Sequence, residues 1–299
     1  MTERSVEPGG VAIVTVAYNS SGIMEQFLSS VARADVEPPL VVIADNDSAD
    51  SDETASIAAR YRTRLLRLPE NLGYGGAINA AVRELDESVN WVLVSNPDVT
   101  FTPGSITALR EVANRRTDAG SIGPRIVDED GTNYPSARNL PSLRTGVGHA
   151  LFARIWPSNP WTRSYLQDQG ETAEEATVGW LSGACVLVRR SAFNDLGGFD
   201  DGYFMYFEDV DLGARLGRAG WHNVYAPQAI VTHSGAHSTN RESGRMLRVH
   251  HDSAFRYLSR KYSAWYLAPL RGILWLGLGV RKSWLSRERG PRPPQSPSA

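Results

Sequence analysis

Asp98, which follows a predicted buried strand, is the first candidate for a residue with a chemical role. The run Trp91–Ser95 is uninterrupted, apolar and rich in β-branched and aromatic residues, which favours a strand buried on both faces. Pro97 cannot continue a strand ladder, so Asp98 is expected just past the carboxyl end, where open α/β sheets bind ligands. Beside the Asn96 amide, that carboxylate suits a hard cation bridging a diphosphate. The alternative is a plain turn, since Asn-Pro-Asp is good turn chemistry.

A second candidate is a cluster of acids at the start of a predicted helix. Glu208, Asp209 and Asp211 follow the aromatic, apolar run Tyr203–Phe207. Capping and the helix dipole account for one or two acids at such a place. Three acids exceed that need. An acid beside aromatic side chains is placed to have a raised pKa and to act as a general base.

Histidines supply the remaining candidate ligands. His233 follows a predicted strand, and if it faces the same sheet edge as Asp98, the two with phosphate oxygens would complete a Mg²⁺ or Mn²⁺ site. A structural histidine bonded to the backbone is the alternative. His237, His250 and His251 are secondary candidates.

The elements that must position these residues alternate between strand and helix in the first hundred residues. Such alternation predicts an α/β fold with a mainly parallel sheet flanked by helices and right-handed crossovers. Each predicted strand ends in polar or glycine-rich residues, so the loops at one edge of the sheet have the residue types that bind a ligand. The predicted strands are Val11–Val16, Leu40–Ala44, Leu65–Leu68 and Trp91–Ser95.

The second half of the chain is less regular. Residues 128–177 lack periodicity but carry aromatic residues, which favours an ordered insert on the acceptor side. The elements predicted around it are a helix over Ser105–Arg115, an edge strand Ser121–Val127, a strand Ala184–Val188, a helix from Leu212 to Gly220, and short strands Asn223–Ala226 and Ala229–Thr232.

Composition narrows the class of protein. The 299 residues are 41% hydrophobic and 21% charged, as in ordinary globular proteins, and they suffice for one large domain or two small ones. Cys185 is the single cysteine, which excludes a disulfide framework and a cysteine-based metal site. No signal peptide is expected, because the first ten residues are polar and the apolar run after them is short.

Charge is distributed unevenly along the chain. Residues 241–299 hold 12 Lys and Arg against 3 Asp and Glu, whereas residues 1–240 hold 19 against 30. The stretch Tyr262–Val280 is long enough to span a membrane, but Pro269 and Arg271 oppose that structure. Its aromatic residues beside a basic run predict a helix lying on an anionic membrane surface. A helix docked on the catalytic domain is the alternative.

Seven motifs in one order resemble those of glycosyltransferase family 2, over residues 10–240. The motifs are Thr15-Val16-Ala17-Tyr18-Asn19, Asp45-Asn46-Asp47-Ser48, Asn71-Leu72-Gly73-Tyr74-Gly75, Asn96-Pro97-Asp98, Gly179-Trp180-Leu181-Ser182-Gly183, Glu208-Asp209 with Asp211-Leu212, and His233. Within that family, Tyr134–Arg138, Gly179–Gly183 and Tyr203–Asp211 resemble the rhamnosyltransferases of actinobacterial cell-wall linker synthesis. Those enzymes move rhamnose from dTDP-rhamnose to N-acetylglucosamine on a polyprenyl diphosphate.

The resemblance implies an inverting enzyme of the GT-A fold, with a role for each matching residue. Asp209 would be the base, Asp98 and His233 would hold Mg²⁺ or Mn²⁺, and Asn96 departs from the family's usual aspartate. The implied nucleotide-sugar pocket contains Thr15, Ala17, Tyr18, Asn19, Asp45, Gly73, Asn79, Asn96 and Asp98, and the acceptor would contact Trp180 and Glu208.

The resulting hypothesis is a peripheral enzyme on the cytoplasmic face of the cell membrane, with a nucleotide-sugar donor, a lipid-linked acceptor and no nucleic-acid partner. A catalytic domain is expected over 1–240, with a nucleotide-binding half 10–100 and an acceptor half 101–240. A membrane-associating helical region is expected over 241–290 and a disordered tail over 291–299. Three alternatives stay open: a family member with another donor or acceptor, a sugar-nucleotide pyrophosphorylase, and a non-catalytic nucleotide-sugar-binding protein.

Overall fold

A ten-stranded mixed sheet with helices on both faces forms the body of the protein in a computed structural model, which describes residues 10–35, 39–141, 174–235 and 243–277. The strands are β1 (Gly10–Ala17), β2 (Leu40–Asp45), β3 (Arg64–Arg67), β4 (Val89–Ser95), β5 (Val99–Phe101), β6 (Ala119–Val127), β7 (Asn133–Tyr134), β8 (Ala137–Arg138), β9 (Ala176–Val178), β10 (Trp180–Leu181), β11 (Cys185–Arg189) and β12 (His222–His233). The helices are α1 (Ser21–Ala34), α2 (Ser51–Arg60), α3 (Gly73–Arg83), α4 (Ser105–Arg115), α5 (Arg190–Asp195), α6 (Glu208–Arg218), α7 (Ser243–Lys261) and α8 (268–277).

The order of strands across the sheet brings their functional ends together. The order is β3-β2-β1-β4-β11-β6-β12-β5, with β7 added beside β6 and β9 beside β12, while β8 and β10 form a separate pair. The first four strands are parallel, as predicted, and pairing of Ala17 with Asp45 and of Thr15 with Ser95 aligns their carboxyl ends. β11 runs antiparallel to β4, so its start meets the same edge.

Alternating side chains of the central strands fill two hydrophobic cores, one on each face. Ile13 and Leu93 pack on the face covered by α1, α2 and α4. Val14 and Val92 pack on the face covered by α3, α5 and α6. Burial on both faces explains why these strands lack polar alternation in the sequence.

Two predicted features of the second half of the sheet are wrong. The segment predicted as an edge strand, 121–127, lies within β6, which pairs with β11 on one side and β12 on the other. The two predicted short strands are the single strand β12, with an irregular register between Ala226 and Ile230. Both errors concern partners far along the chain, which local patterns do not reveal. The short strand β5 was not predicted either.

Helix α7 packs against the segment that precedes α6, with Ala254 and Tyr257 buried. Trp265–Leu267 forms a short 3₁₀ turn that leads into α8. In the ranges that the structure describes, no helix is both long and apolar enough to cross a membrane. His237 and the predicted tail 291–299 lie outside the described residues, as does most of the predicted insert.

Candidate active site

Asp98 and His233 meet because two strands pair in a fixed register. β5 and β12 are antiparallel with Val99 opposite His233, and Ser234 N–H donates to the Asp98 carbonyl at 3.2 Å. The His233 Nε2 atom consequently lies 3.1 Å from Asp98 Oδ1, with both side chains about nine-tenths buried. This is the proximity that the sequence predicted for the two residues.

The Asp98–His233 pair fits a divalent cation. Apart from the facing His233 Nε2, no group of the described residues satisfies the buried Oδ1 of Asp98, and the Asn96 amide nitrogen lies 3.4 Å from His233 Nε2. A carboxylate oxygen and an imidazole nitrogen that face each other in this way suit Mg²⁺ or Mn²⁺. Since no third His, Cys, Asp or Glu joins them in the described part of the chain, the remaining positions fall to oxygen atoms of a ligand or water.

Asp209 is the second residue of α6, and its side chain is partly buried. Its Oδ2 accepts a hydrogen bond from Gly183 N–H at 2.9 Å, and its Oδ1 accepts one from its neighbour Val210 at 2.8 Å. Burial raises the pKa of Asp209, although these hydrogen bonds and the positive charge of Arg138 act in the opposite direction. A carboxylate with a raised pKa is a better proton acceptor than an exposed one.

Glu208 and Asp211 differ in environment although both belong to the same acidic cluster. Burial, and then the charge of Asp209, raises the pKa of Glu208 to about 8. Its Oε2 atom is buried, and within the described ranges it has no hydrogen-bond partner. Asp211, in contrast, pairs with Arg215 at 2.6 Å, so it stabilises the helix. The environment therefore leaves Glu208 and Asp209 as the chemically available acids.

The turn at Gly183 connects the two parts of the site. The Tyr74 hydroxyl donates to the Gly183 carbonyl at 2.7 Å, and Asn96 N–H donates to the Ala184 carbonyl at 2.8 Å. Burial raises the pKa of Tyr74 well above its usual value, and the nearby charges of Glu208, Asp209 and Asp98 raise it further. Tyr74 is a site residue that the sequence analysis did not single out. Its position within the glycine-rich motif was the available signal.

The residues predicted to hold the nucleotide gather at the ends of β1 and β2. Thr15, Ala17 and Asp45 are buried, whereas Tyr18 is exposed. Asp45 accepts hydrogen bonds from Ser48 N–H and from the Ser51 hydroxyl. These interactions fix the carboxylate at the edge where the nucleotide is expected.

Asn19 is held in an uncommon backbone conformation at the same edge. Its φ of 50° lies in the left-handed region, which asparagine tolerates better than most residues. Its side-chain oxygen accepts a hydrogen bond from Ala49 N–H at 2.8 Å. The bond joins the loop after β1 to the loop after β2.

Gly73 and Asn79 support the site from α3. Gly73 has a φ of 75° and lies against the Phe204 carbonyl, where a side chain would collide. Asn79 bonds to both backbone groups of Phe199, and its amide also donates to Asp201 at 2.9 Å. Asn79 therefore joins α3 to the loop that leads to α6.

Trp180, which was predicted to contact the acceptor, lies beside Arg138. The indole N–H of Trp180 donates to the Asn139 carbonyl at 3.2 Å, and the Arg138 guanidinium lies 5.7 Å from the centre of its ring. Trp180 also packs against Gly213 of α6, where any added Cβ would collide with it. An aromatic face is thereby held next to the helix that carries Asp209.

Comparison with known sequences finds relatives along most of the chain. The profile of "Glycosyl transferase family 2" matches residues 12–197, and that of "Glycosyl transferase family group 2" matches residues 159–282. The chain is 46% identical to the N-acetylglucosaminyl-diphospho-decaprenol L-rhamnosyltransferase of Mycobacterium tuberculosis, covering 92% of each chain. It is 27% identical to the rhamnosyltransferase WbbL of Escherichia coli K12, covering 84% of this chain and 93% of that one.

A solved structure has a similar fold. The mannosyltransferase PcManGT from Pyrobaculum calidifontis, in complex with GDP-Man and Mn²⁺, superposes with a TM-score of 0.59 at 14% identity. The match covers 94% of this chain and 73% of that one. At this identity the likeness concerns the fold, which is the GT-A arrangement predicted from the sequence.

Proposed function

Because the chain belongs to glycosyltransferase family 2, we propose that it transfers L-rhamnose from dTDP-L-rhamnose to N-acetylglucosamine carried on a polyprenyl diphosphate, in cell-wall linker synthesis. The name of the M. tuberculosis relative supports this donor sugar and this acceptor. The observation that carries the proposal is the junction at Gly183, which connects the partly buried base candidate Asp209 to the edge that bears Asp98 and His233.

The residues perform the reaction in a single displacement. Asp98 and His233 would hold Mg²⁺ or Mn²⁺, which when bound neutralises charge on the departing nucleotide diphosphate. Asp209 takes the proton from the acceptor hydroxyl while that oxygen bonds to the anomeric carbon. The bond from this carbon to the diphosphate oxygen breaks, and its electron pair leaves with the nucleotide. General-base catalysis of this kind contributes about a hundredfold to ten-thousandfold.

Neighbouring side chains hold the acceptor for that step. With a pKa of about 8, Glu208 carries a proton at neutral pH and can donate a hydrogen bond to a sugar oxygen. The ring of Trp180 offers an apolar face on which a sugar can stack. Neither group competes with Asp209 for the role of base.

Transfer can be tested with purified protein, dTDP-L-rhamnose and a short-chain N-acetylglucosaminyl-diphosphoprenol. We expect dTDP release only when donor and acceptor are both present, and a rhamnosylated product of inverted configuration. UDP- and GDP-sugars serve as donor controls. Binding of dTDP-rhamnose without release would favour the non-catalytic alternative, and nucleoside triphosphate formed with added pyrophosphate would favour the pyrophosphorylase.

Peripheral attachment to an anionic membrane on the cytoplasmic side is the second part of the proposal. Trp265 is 84% exposed and Trp275 is 62% exposed, and three more large apolar side chains of this segment are also exposed: Tyr266, Ile273 and Leu276. The basic residues Arg281, Lys282, Arg287 and Arg289 that follow in the sequence lie outside the described residues. Aromatic side chains next to basic ones favour the interface of an anionic bilayer.

Truncation after Lys261 tests the attachment, because it removes this segment but keeps α7. We expect the truncated protein to lose binding to anionic vesicles and to transfer poorly to a long-chain acceptor, while it still uses the short-chain one. A full-length variant with Trp265→Ser and Trp275→Ser should show the same losses. Equal vesicle binding by all three proteins would overturn the attachment.

A further inference from the structure

The segment just before Asp209 has a strained backbone. Tyr206 and Phe207 have φ values of 68° and 67°, in the left-handed region that bulky residues seldom adopt. Such a conformation is unfavourable and persists only where the surroundings impose it. Some other part of the fold must therefore hold this segment so that α6 begins where it does.

One set of restraints comes from α3, on the donor side. Asn79 bonds to the backbone of Phe199, and Tyr74 N–H donates to the Phe204 carbonyl at 2.9 Å. These contacts fix the first part of the segment. Within the described residues, no hydrogen bond joins α3 to residues 205–207.

The second set comes from α7. Ser253 donates its hydroxyl to the Met205 carbonyl at 2.8 Å. The ring of His250 packs edge-on against Tyr206 and Phe207, with centroids 5.4 and 5.5 Å apart, and Tyr257 contacts Phe207 at 5.8 Å. Helix α7 thus contacts both strained residues, Tyr206 and Phe207.

An ion pair anchors α7 to the same segment. Arg256 Nη2 lies 2.9 and 3.0 Å from the two carboxylate oxygens of Asp200, which is only 17% exposed, and Arg260 pairs with this carboxylate too. Asp200 also accepts a hydrogen bond from Gly202 N–H at 2.9 Å. A Cβ on Gly202 would overlap the Arg256 guanidinium, so the turn leaves room for this arginine.

We propose that Asp200 and Arg256 are positioning residues for catalysis: their pair holds α7 against the strained turn and so fixes Glu208 and Asp209 where the acceptor binds. The helix α7 is thereby part of the catalytic apparatus, although it follows the sheet in sequence and supplies no reacting group. The inference rests on the proposed role of Asp209 as the base.

Kinetics of full-length variants test this role. Arg256→Ala and Asp200→Asn should lower kcat by about ten- to a hundredfold, since small misplacement of a catalytic group has effects of this size. KM for the donor should change less than about twofold, because neither Asp200 nor Arg256 bonds to a residue of the implied nucleotide-sugar pocket. Arg256→Lys should recover part of the loss. Arg64→Ala, which breaks an exposed ion pair with Glu84, is the matched control and should be neutral.

A double-mutant cycle separates positioning from mere structural support. In the Asp209→Asn background, Arg256→Ala should cost little further activity, because the group that it positions is already absent. Equal losses of kcat in both backgrounds, or a lowered melting temperature with unchanged kcat, would overturn the inference. If Arg256→Ala does not fold, Asp200→Asn gives the same comparison. Near-wild-type turnover by Asp209→Asn would refute the proposed base, and with it this inference; a damaging Asp209→Asn with additive losses refutes the positioning role alone.

Discussion

Asp98 and Asp209 reach the same edge of the sheet by different means. Asp98 is positioned by backbone pairing, since the register of β5 on β12 sets it beside His233. Asp209 is positioned by side chains, because α6 begins after a strained turn held by α3 and α7. The first arrangement depends on a strand ladder and the second on side-chain contacts with two helices.

The difference determines how each part should respond to substitution. When the side chain of Asp98 is removed, the strand pairing that positions its neighbours should persist. The loss of activity should therefore reflect only the missing carboxylate. Asp209 is held in place by several separate contacts, so altering any one of them should lower activity only in part. Four predictions test this difference.

The largest effect is expected from Asp98→Ala. Loss of a metal ligand should abolish metal-dependent donor binding and reduce turnover by roughly a thousandfold, the equivalent of several kcal/mol of charge stabilisation. Wild-type protein treated with EDTA should behave alike, and EDTA should not affect the variant further. Asp52→Ala, at a highly exposed aspartate of α2, is the control. Wild-type turnover that persists in EDTA would contradict the metal role.

The next effect is expected from Asp209→Asn. It should lower kcat by about a hundredfold or more while donor affinity stays near that of the wild type, because the base acts only in the chemical step. Steady-state kinetics with varied donor and acceptor measure both. If Glu208→Gln is the damaging change and Asp209→Asn is mild, the base is the neighbouring residue.

The pH dependence of stability is expected to change in Glu208→Gln. The pKa of Glu208 rises from an ordinary 4.5 to about 8 on folding, so between these values the folded chain holds a proton that the unfolded chain releases. The free energy of unfolding should therefore fall as pH rises through this window, and less steeply in the variant. Denaturant titrations at pH 5 and pH 8 measure the difference. Equal slopes for both proteins would contradict the buried, protonated state.

The smallest effect is expected from Tyr74→Phe. The change removes the hydroxyl that donates to the Gly183 carbonyl, and an unsatisfied group of this kind costs about 1–3 kcal/mol of stability. Turnover should fall by about tenfold or less, since Gly183 N–H still holds Asp209. Thermal unfolding and kcat together check this. A loss as large as that of Asp209→Asn would give Tyr74 a direct chemical role.

The sequence predicted the parts of the fold that depend on local pattern. The first four strands, the edge that their loops share and the family resemblance are confirmed. The interior position of β6 was missed, because its partners β11 and β12 lie more than fifty residues further along the chain. The role of α7 was missed as well, since no local pattern reveals that Arg256 contacts Asp200. The roles of the individual site residues stay predictions.

The position of β5 at the margin of the sheet would couple the proposed cation site to local opening of the fold. β5 has three residues, and β12 is its strand partner in the described sheet, so Asp98 and His233 lie at the last rung of an edge ladder. If this rung opens, the two ligands separate. A cation that needs both must, by mass action, protect the rung from opening. Hydrogen exchange at the amides of Val231 to His233 should therefore slow when metal and donor are added. Exchange at the amides of the central strand β1 should not change.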